Sequence, residues 1–186
     1  MNEDLQFIEQ FLTGDDKGFE ALVRKYQDRA LNIVYSVVGN DRDSQDIVQE
    51  AFLKVYNNLQ TFRKKSQFTT WIYRIVVNTA YDFLRKRKNI IIDGAILERT
   101  ASSAFGPYDA LSRKERDAML QQALGNVPVV YRVALVLKDI ENLRYEEIAQ
   151  ILQCSIGTVE SKIYRARQIL KGELVKLSGE AIWTGV

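Results

Sequence analysis

An all-α fold of two small helical domains is predicted by three features of the sequence. Apolar residues recur at three- and four-residue spacing almost throughout, no segment sustains the period-two alternation of a half-buried strand, and the helical pattern is interrupted once, over residues 89–112. The 186 residues suit two small domains, since domains cluster near ~100–150 residues and small ones run to ~50. Hydrophobic residues make up 46% of the chain and charged residues 27%, a composition that supports a packed core.

The elements follow in order. A first helix carries Leu5, Ile8 and Leu12 and stops at Gly14; a second runs from about Phe19 through Leu22, Tyr26 and Ile33 to Gly39. The third begins near Ser44 and buries Val48, Phe52, Val55 and Leu59. The fourth starts after Thr69 or Thr70 and runs to about Arg87, with Ile72, Val76, Ala80, Phe83 and Leu84 turned inward. These four make one bundle over residues 1–88. Residues 89–112, with Gly94, Ser102, Ser103, Gly106 and Pro107, read as a flexible linker.

A second four-helix domain occupies residues 113–177. Its first helix spans about Ser112 to Leu124 and ends at Gly125. Pro128 suits the first position of the next, which continues through Val133 and Leu137. Two further helices follow, three residues apart. The tail, residues 178–186 with Trp183, fits neither domain.

Composition removes several classes of function. The chain has one cysteine, Cys154, and no histidine, so it forms no internal disulfide, and neither a metal site nor a cofactor is expected. No P-loop or Gly-rich phosphate loop is present, and no carboxylates pair convincingly around a cleft, so an enzyme is not expected. The N-terminus (Asn2, Glu3, Asp4) lacks a basic leader and no apolar run approaches the ~20 residues of a membrane span, which predicts a cytoplasmic protein without membrane insertion.

Charge is unevenly distributed. Residues 1–60 hold 6 Lys/Arg against 11 Asp/Glu, a net −5, whereas residues 61–88 hold 8 against 1, a net +7. A basic block of this kind can neutralise phosphates, and the acidic stretch before it suits a basic protein surface.

Residues 145–167, YEEIAQILQCSIGTVESKIYRAR, have the layout of a helix-turn-helix. Ile148 and Leu152 face inward on its first helix and Ala149 is small where the second must cross. Gln153, Cys154 and Ser155 form the turn, with Ser155 a candidate N-cap and Cys154 a core residue. Val159, Ile163, Ala166 and Leu170 are buried on the second helix, leaving Ser161, Tyr164, Arg165 and Gln168 directed away from the core.

The fourth helix presents a second candidate surface. Trp71, Arg74, Asn78, Asp82 and Arg85 share the face opposite the core, a stripe suited to nucleic acid because the indole can stack on an unpaired base while Arg and Asn reach phosphates or base edges. Just before it, Arg63, Lys64, Lys65, Ser66 and Gln67 form a polar loop able to cradle a flipped-out base. On the third helix Asp46, Gln49, Glu50, Leu53 and Asn57 lie outward, a leucine ringed by acidic and amide groups as in a protein docking patch.

Three segments in this order and spacing, DIVQEAFLKVY from Asp46, FTTWIYRIVVNTAYDFLRKRK from Phe68 and the helix-turn-helix, resemble the extracytoplasmic-function sigma factors of the sigma-70 family across about residues 5–175. The resemblance implies a region 2-like domain at 1–88 and a region 4-like domain at 113–177. It implies docking on core RNA polymerase through Asp46, Gln49, Glu50, Leu53 and Asn57. It implies melting and reading of the minus-ten element as single-stranded DNA through Arg63, Lys64, Lys65, Ser66, Phe68, Trp71, Arg74, Asn78, Asp82 and Arg85. Duplex reading of the minus-thirty-five element would fall to Thr158, Glu160, Ser161, Lys162, Tyr164, Arg165 and Arg167, and an anti-sigma factor is an expected partner. Two positions depart from the family pattern. Arg144 stands where Ser or Thr often caps the first helix of the helix-turn-helix, a loss of ~0.5–2 kcal/mol unless Asn142 substitutes. Glu160 stands where Lys or Arg often opens the reading face. The rival reading, a repressor or activator binding duplex DNA without polymerase, shares the C-terminal domain but leaves the N-terminal stripe without a task.

Overall fold

A computed structural model describes residues 3–64, 66–92 and 111–178, and every regular element among them is helical. The N-terminal unit comprises α1 (Glu3–Leu12), α2 (Lys17–Val38), α3 (Asp41–Asn58) and α4 (Phe68–Ile92), with a 3-10 turn at Leu59–Thr61. The C-terminal unit comprises α5 (Arg113–Asn126), α6 (Val129–Leu135), a π turn at Val136–Ile140, α7 (Tyr145–Leu152) and α8 (Ile156–Ser178). The core of the expected linker, residues 93–110, and residues 179–186 of the tail, Trp183 among them, lie outside the described residues, whereas Ser178 ends α8. None of the helices among them is long and apolar enough to cross a membrane.

Helix ends explain where the elements depart from the periodicity. Gly14 and Gly39 follow α1 and α2 with φ of 95° and 76°, the left-handed geometry that glycine adopts without strain. α3 begins at Asp41 rather than near Ser44, because the Asn40 side chain accepts from the Asp43 amide at 3.0 Å, while the buried Ser44 donates back to the Asn40 carbonyl. α4 begins at Phe68 and passes Arg87, since its basic stretch is polar but still helix-forming. Ser112 caps α5 through a reciprocal box with Glu115, and that helix runs through Gly125 to Asn126 instead of ending at the glycine. Pro128 is the N-cap of α6, one place before the expected first position.

Packing inside the N-terminal unit is close. A Cβ on Gly18 of α2 would collide with the Phe7 carbonyl, so only glycine permits α1 to cross there. Leu22, Ile33, Ile47, Ala51, Leu59, Phe68 and Ile72 form the bundle interior. That interior continues without a break into Val133, Val136, Leu137, Ile148, Ile151, Val159 and Ile163, so the two helical units share one hydrophobic core. A smaller cluster joins Met119 and Ala123 of α5 to Leu174 and Leu177 of α8.

The shared core changes several burial assignments. Tyr73 and Val77 are as buried on α4 as Ile72, while Phe83 and Leu84 are half-buried. On α7 Ile151 is buried alongside Ile148, and Leu152 is half-buried; Leu170 is likewise half-buried on α8. Ile47 and Ala51 join Val48, Phe52 and Val55 inside α3, and Leu59 is buried in the turn after it.

Candidate nucleic-acid interface

The α4 stripe is present as a surface with a foundation. Asn78 and Arg85 are exposed, Trp71, Arg74 and Asp82 half-buried. Phe68, expected among the nucleic-acid contacts, is instead 1% exposed and belongs to the core, because the rings of Tyr26 and Phe62 close over it at centroid distances of 5.6 and 5.4 Å. Its ring stacks beneath Trp71 at 5.6 Å and 28°, with Phe62 at 5.5 Å from the indole. The tryptophan is thus pinned edge and face, and its remaining surface is presented outward.

Beside it lies a depression of about 410 Å³ lined by Trp71, Asn78 and Asp82 together with Lys54, Asn58 and Thr61. The last three come from α3 and the turn after it and were not foreseen, since a helical wheel sees only its own helix. Lys54 is fixed across the depression by the Thr79 hydroxyl at 3.2 Å and by Glu50 at 2.7 Å. The depression therefore joins an aromatic wall, an amide pair and a cation, the groups that hold a nucleobase and its phosphate. Asp82 accepts from Arg85 at 3.0 Å on the exposed rim, a pair of little energetic weight. In the preceding loop Arg63 and Lys64 are exposed and Ser66 half-buried. Lys64 adopts φ 57° and reaches Glu9 at 3.0 Å, and Lys65 lies outside the described residues.

All five residues of the expected docking patch, Asp46, Gln49, Glu50, Leu53 and Asn57, are exposed on α3. Leu53 is 58% exposed and forms one lip of an apolar groove of about 500 Å³ between α2 and α3, with Phe19, Val23, Leu31, Phe52 and Tyr56 in its walls. Gln45, Gln49 and one carboxylate, Asp28, supply a polar rim. Tyr56 is held by edge contacts to Phe11 and Phe19, each at 5.0 Å.

The helix-turn-helix has the expected three-residue turn. Gln153 takes φ 52°, the Cys154 amide donates to the Ala149 carbonyl, and Ser155 caps α8 by accepting from the Thr158 amide at 3.2 Å. Cys154 is half-buried against the shared core. Arg144 does occupy the N-cap of α7, and the missing hydroxyl is offset by Glu147, whose carboxylate accepts from the Arg144 amide at 2.8 Å; Asn142, in left-handed geometry two residues upstream, takes no part as the cap.

On α8 Glu160, Ser161, Tyr164, Arg165 and Arg167 are exposed, with Thr158 and Lys162 half-buried. Thr158 is tied to Ser155 at 2.8 Å. Arg165 donates to the Tyr131 hydroxyl at 3.1 Å and lies over that ring. Arg167 is engaged in a two-pronged pair with Asp139 at 2.6 and 3.0 Å, which raises its affinity for its proton and competes with any phosphate. Of the expected reading residues, Glu160 is exposed and Tyr164 is 66% exposed.

The sigma-70 region 2 family model matches residues 22–90, and the sigma-70 region 4 model matches residues 111–170. The chain is 34% identical to the ECF RNA polymerase sigma-E factor of Escherichia coli K12 over 94% of its length and 95% of that protein. The chain belongs to the extracytoplasmic-function group of the sigma-70 family. This sigma-70 family member is also 37% identical to the RNA polymerase sigma-H factor of Pseudomonas aeruginosa, over 96% of this chain and 97% of that one. Among solved structures it superposes on the sigma factor RpoE of Bartonella quintana, in complex with the anti-sigma factor NepR, with a TM-score of 0.69 and 28% identity, covering 87% of this chain and 98% of that one. It shares the fold of CnrH, solved with the cytosolic domain of CnrY, at a TM-score of 0.73 and 24% identity over 95% of this chain and 100% of that one.

Proposed function

We propose that this ECF sigma factor binds core RNA polymerase and directs promoter-specific initiation, acting in the cytoplasm and carrying no reaction of its own. The observation that carries the reading is the α4 depression, where Trp71, Asn78 and Lys54 line an open hollow on a protein that also presents an α8 reading face. In this reading residues 1–88 melt and hold the minus-ten element as single strand. Residues 113–177 read the minus-thirty-five element as duplex, and the α3 face with its groove docks on core. Glu160 adds a specific element to the duplex reading, because a carboxylate in the major groove accepts a hydrogen bond from the cytosine N4 amino group. An anti-sigma factor is the proposed regulator, in keeping with the Bartonella relative, which is bound to one.

A duplex-binding repressor would require only the C-terminal unit and leaves both the α4 depression and the α3 groove unused. A promoter carrying 2-aminopurine in its minus-ten non-template strand separates the two readings. With core polymerase and this protein its fluorescence rises as the base unstacks; binding without any rise supports the repressor.

A further inference from the structure

The first helix reaches the α4 surface without forming part of it. Asp4 of α1 is 7% exposed, and its carboxylate accepts from the Tyr26 hydroxyl at 2.8 Å and from the Lys25 ammonium at 2.7 Å. The Tyr26 hydroxyl lies 3.1 Å from the hydroxyl of Thr69 in the first turn of α4. Because a phenol has one proton and Tyr26 gives it to Asp4, Thr69 donates to Tyr26, and the three groups form one directed chain. Burial pushes the Tyr26 phenol up to about 12, so it keeps that proton at neutral pH.

A second contact ties α1 to the other end of the loop before α4. Glu9 accepts from the Lys64 ammonium at 3.0 Å, and Lys64 holds φ 57°, a geometry that residues other than glycine keep only where their surroundings fix it. The pair is exposed, so it contributes position more than energy. Asp4 and Glu9 thus hold the loop at Thr69 and at Lys64. Thr69 adjoins Phe68, whose buried ring packs on Tyr26 and carries the indole of Trp71. An apolar side chain at position 4 would fill the same space without desolvating a charge; what the carboxylate adds is a fixed direction for the Tyr26 hydroxyl.

We infer that Asp4 and Glu9 are positioning residues for the minus-ten surface. Acting through Tyr26 and Thr69 on one side and through Lys64 on the other, they set where the loop ends and how Trp71 stands on α4. The inference rests on the sigma-factor reading, and it gives α1, which presents none of the reading residues, control over how sharply a strand is discriminated.

The chain has two tryptophans, so a Trp183→Phe background leaves Trp71 as the sole reporter in the free protein. On that background Thr69→Val, which keeps the side-chain shape without its hydroxyl, and Asp4→Leu should each red-shift the Trp71 emission and raise its quenching by acrylamide. Thr69→Ser and Asp4→Asn, which keep the hydroxyl and an acceptor, should restore the parent values. In complex with core polymerase the parent should bind a single strand carrying its minus-ten bases ~10-fold more tightly than an abasic one, and Thr69→Val, Asp4→Leu and Glu9→Ala should reduce that ratio to ~3-fold or less. Emission, quenching and discrimination equal to the parent's in the folded variants overturn the inference, as does a loss that the conservative replacements fail to rescue. Should Asp4→Leu unfold in a thermal melt, the half-buried Thr69 and the exposed Glu9 decide the matter by themselves. A parent complex that does not distinguish the abasic strand overturns the functional reading instead, and the Trp71 signal of the free protein still judges the positioning.

Discussion

The indole of Trp71 rests on the buried ring of Phe68, centroids 5.6 Å apart and planes inclined by 28°. One residue contacts solvent and the other fixes it, so their substitutions should fail in different ways. Phe68→Ala should cost ~3–5 kcal/mol of stability, seen in denaturant melts. Trp71→Ala and Asn78→Ala should remain folded but depress transcription from a duplex promoter far more than from one pre-melted at the start region. Equal losses on both templates would assign Trp71 to packing.

Leu53 stands at the lip of the groove between α2 and α3, with Asp28, Gln45 and Gln49 on its polar rim. Leu53→Asp should weaken core binding by ~30-fold, the ~2 kcal/mol of a central interface contact, without altering the melting curve. Unchanged affinity in a titration against core would remove this face from the interface.

Asp139 holds Arg167 in a bidentate pair on the flank of α8. Asp139→Ala frees that guanidinium, and binding to any minus-thirty-five duplex should then tighten, with a salt dependence steeper by about one phosphate contact. Identical salt slopes for both proteins would show that Arg167 does not reach the backbone.

Burial holds the Glu141 carboxyl above its ordinary value, with Arg29 pulling in the opposite direction. A carboxyl raised in the folded state binds protons more readily than in the unfolded chain. Its contribution is therefore fully present below the unfolded value and is lost as pH rises through the raised one. As pH rises from the ordinary carboxyl range through the raised value, stability should fall less in Glu141→Gln than in wild type. Matching pH profiles would contradict this.

Much of this architecture was legible from spacing and caps. The three-residue turn with Ser155 as cap, the inward Val159, Ile163 and Ala166, and the outward Asn78 and Arg85 follow from period and residue type. The parts that were not legible depend on a second element. Phe68 falls on the wheel of α4 between the stripe and the core, and only the arrival of Tyr26 and Phe62 decides that it is buried. Lys54, Asn58 and Thr61 complete the depression from a neighbouring helix and turn. The interface between the units did leave a trace: from Ile72 through Tyr73 and Val77 to Tyr81, the apolar arc of α4 covers about half the helix, wider than the ~100° that one core requires.

Transcription in vitro with purified core polymerase, followed by sequencing of the transcript starts, tests the central claim most directly. Core with this protein should initiate at a defined set of positions sharing upstream elements, and core alone should not use them. A start-site profile identical with and without the protein would contradict the account.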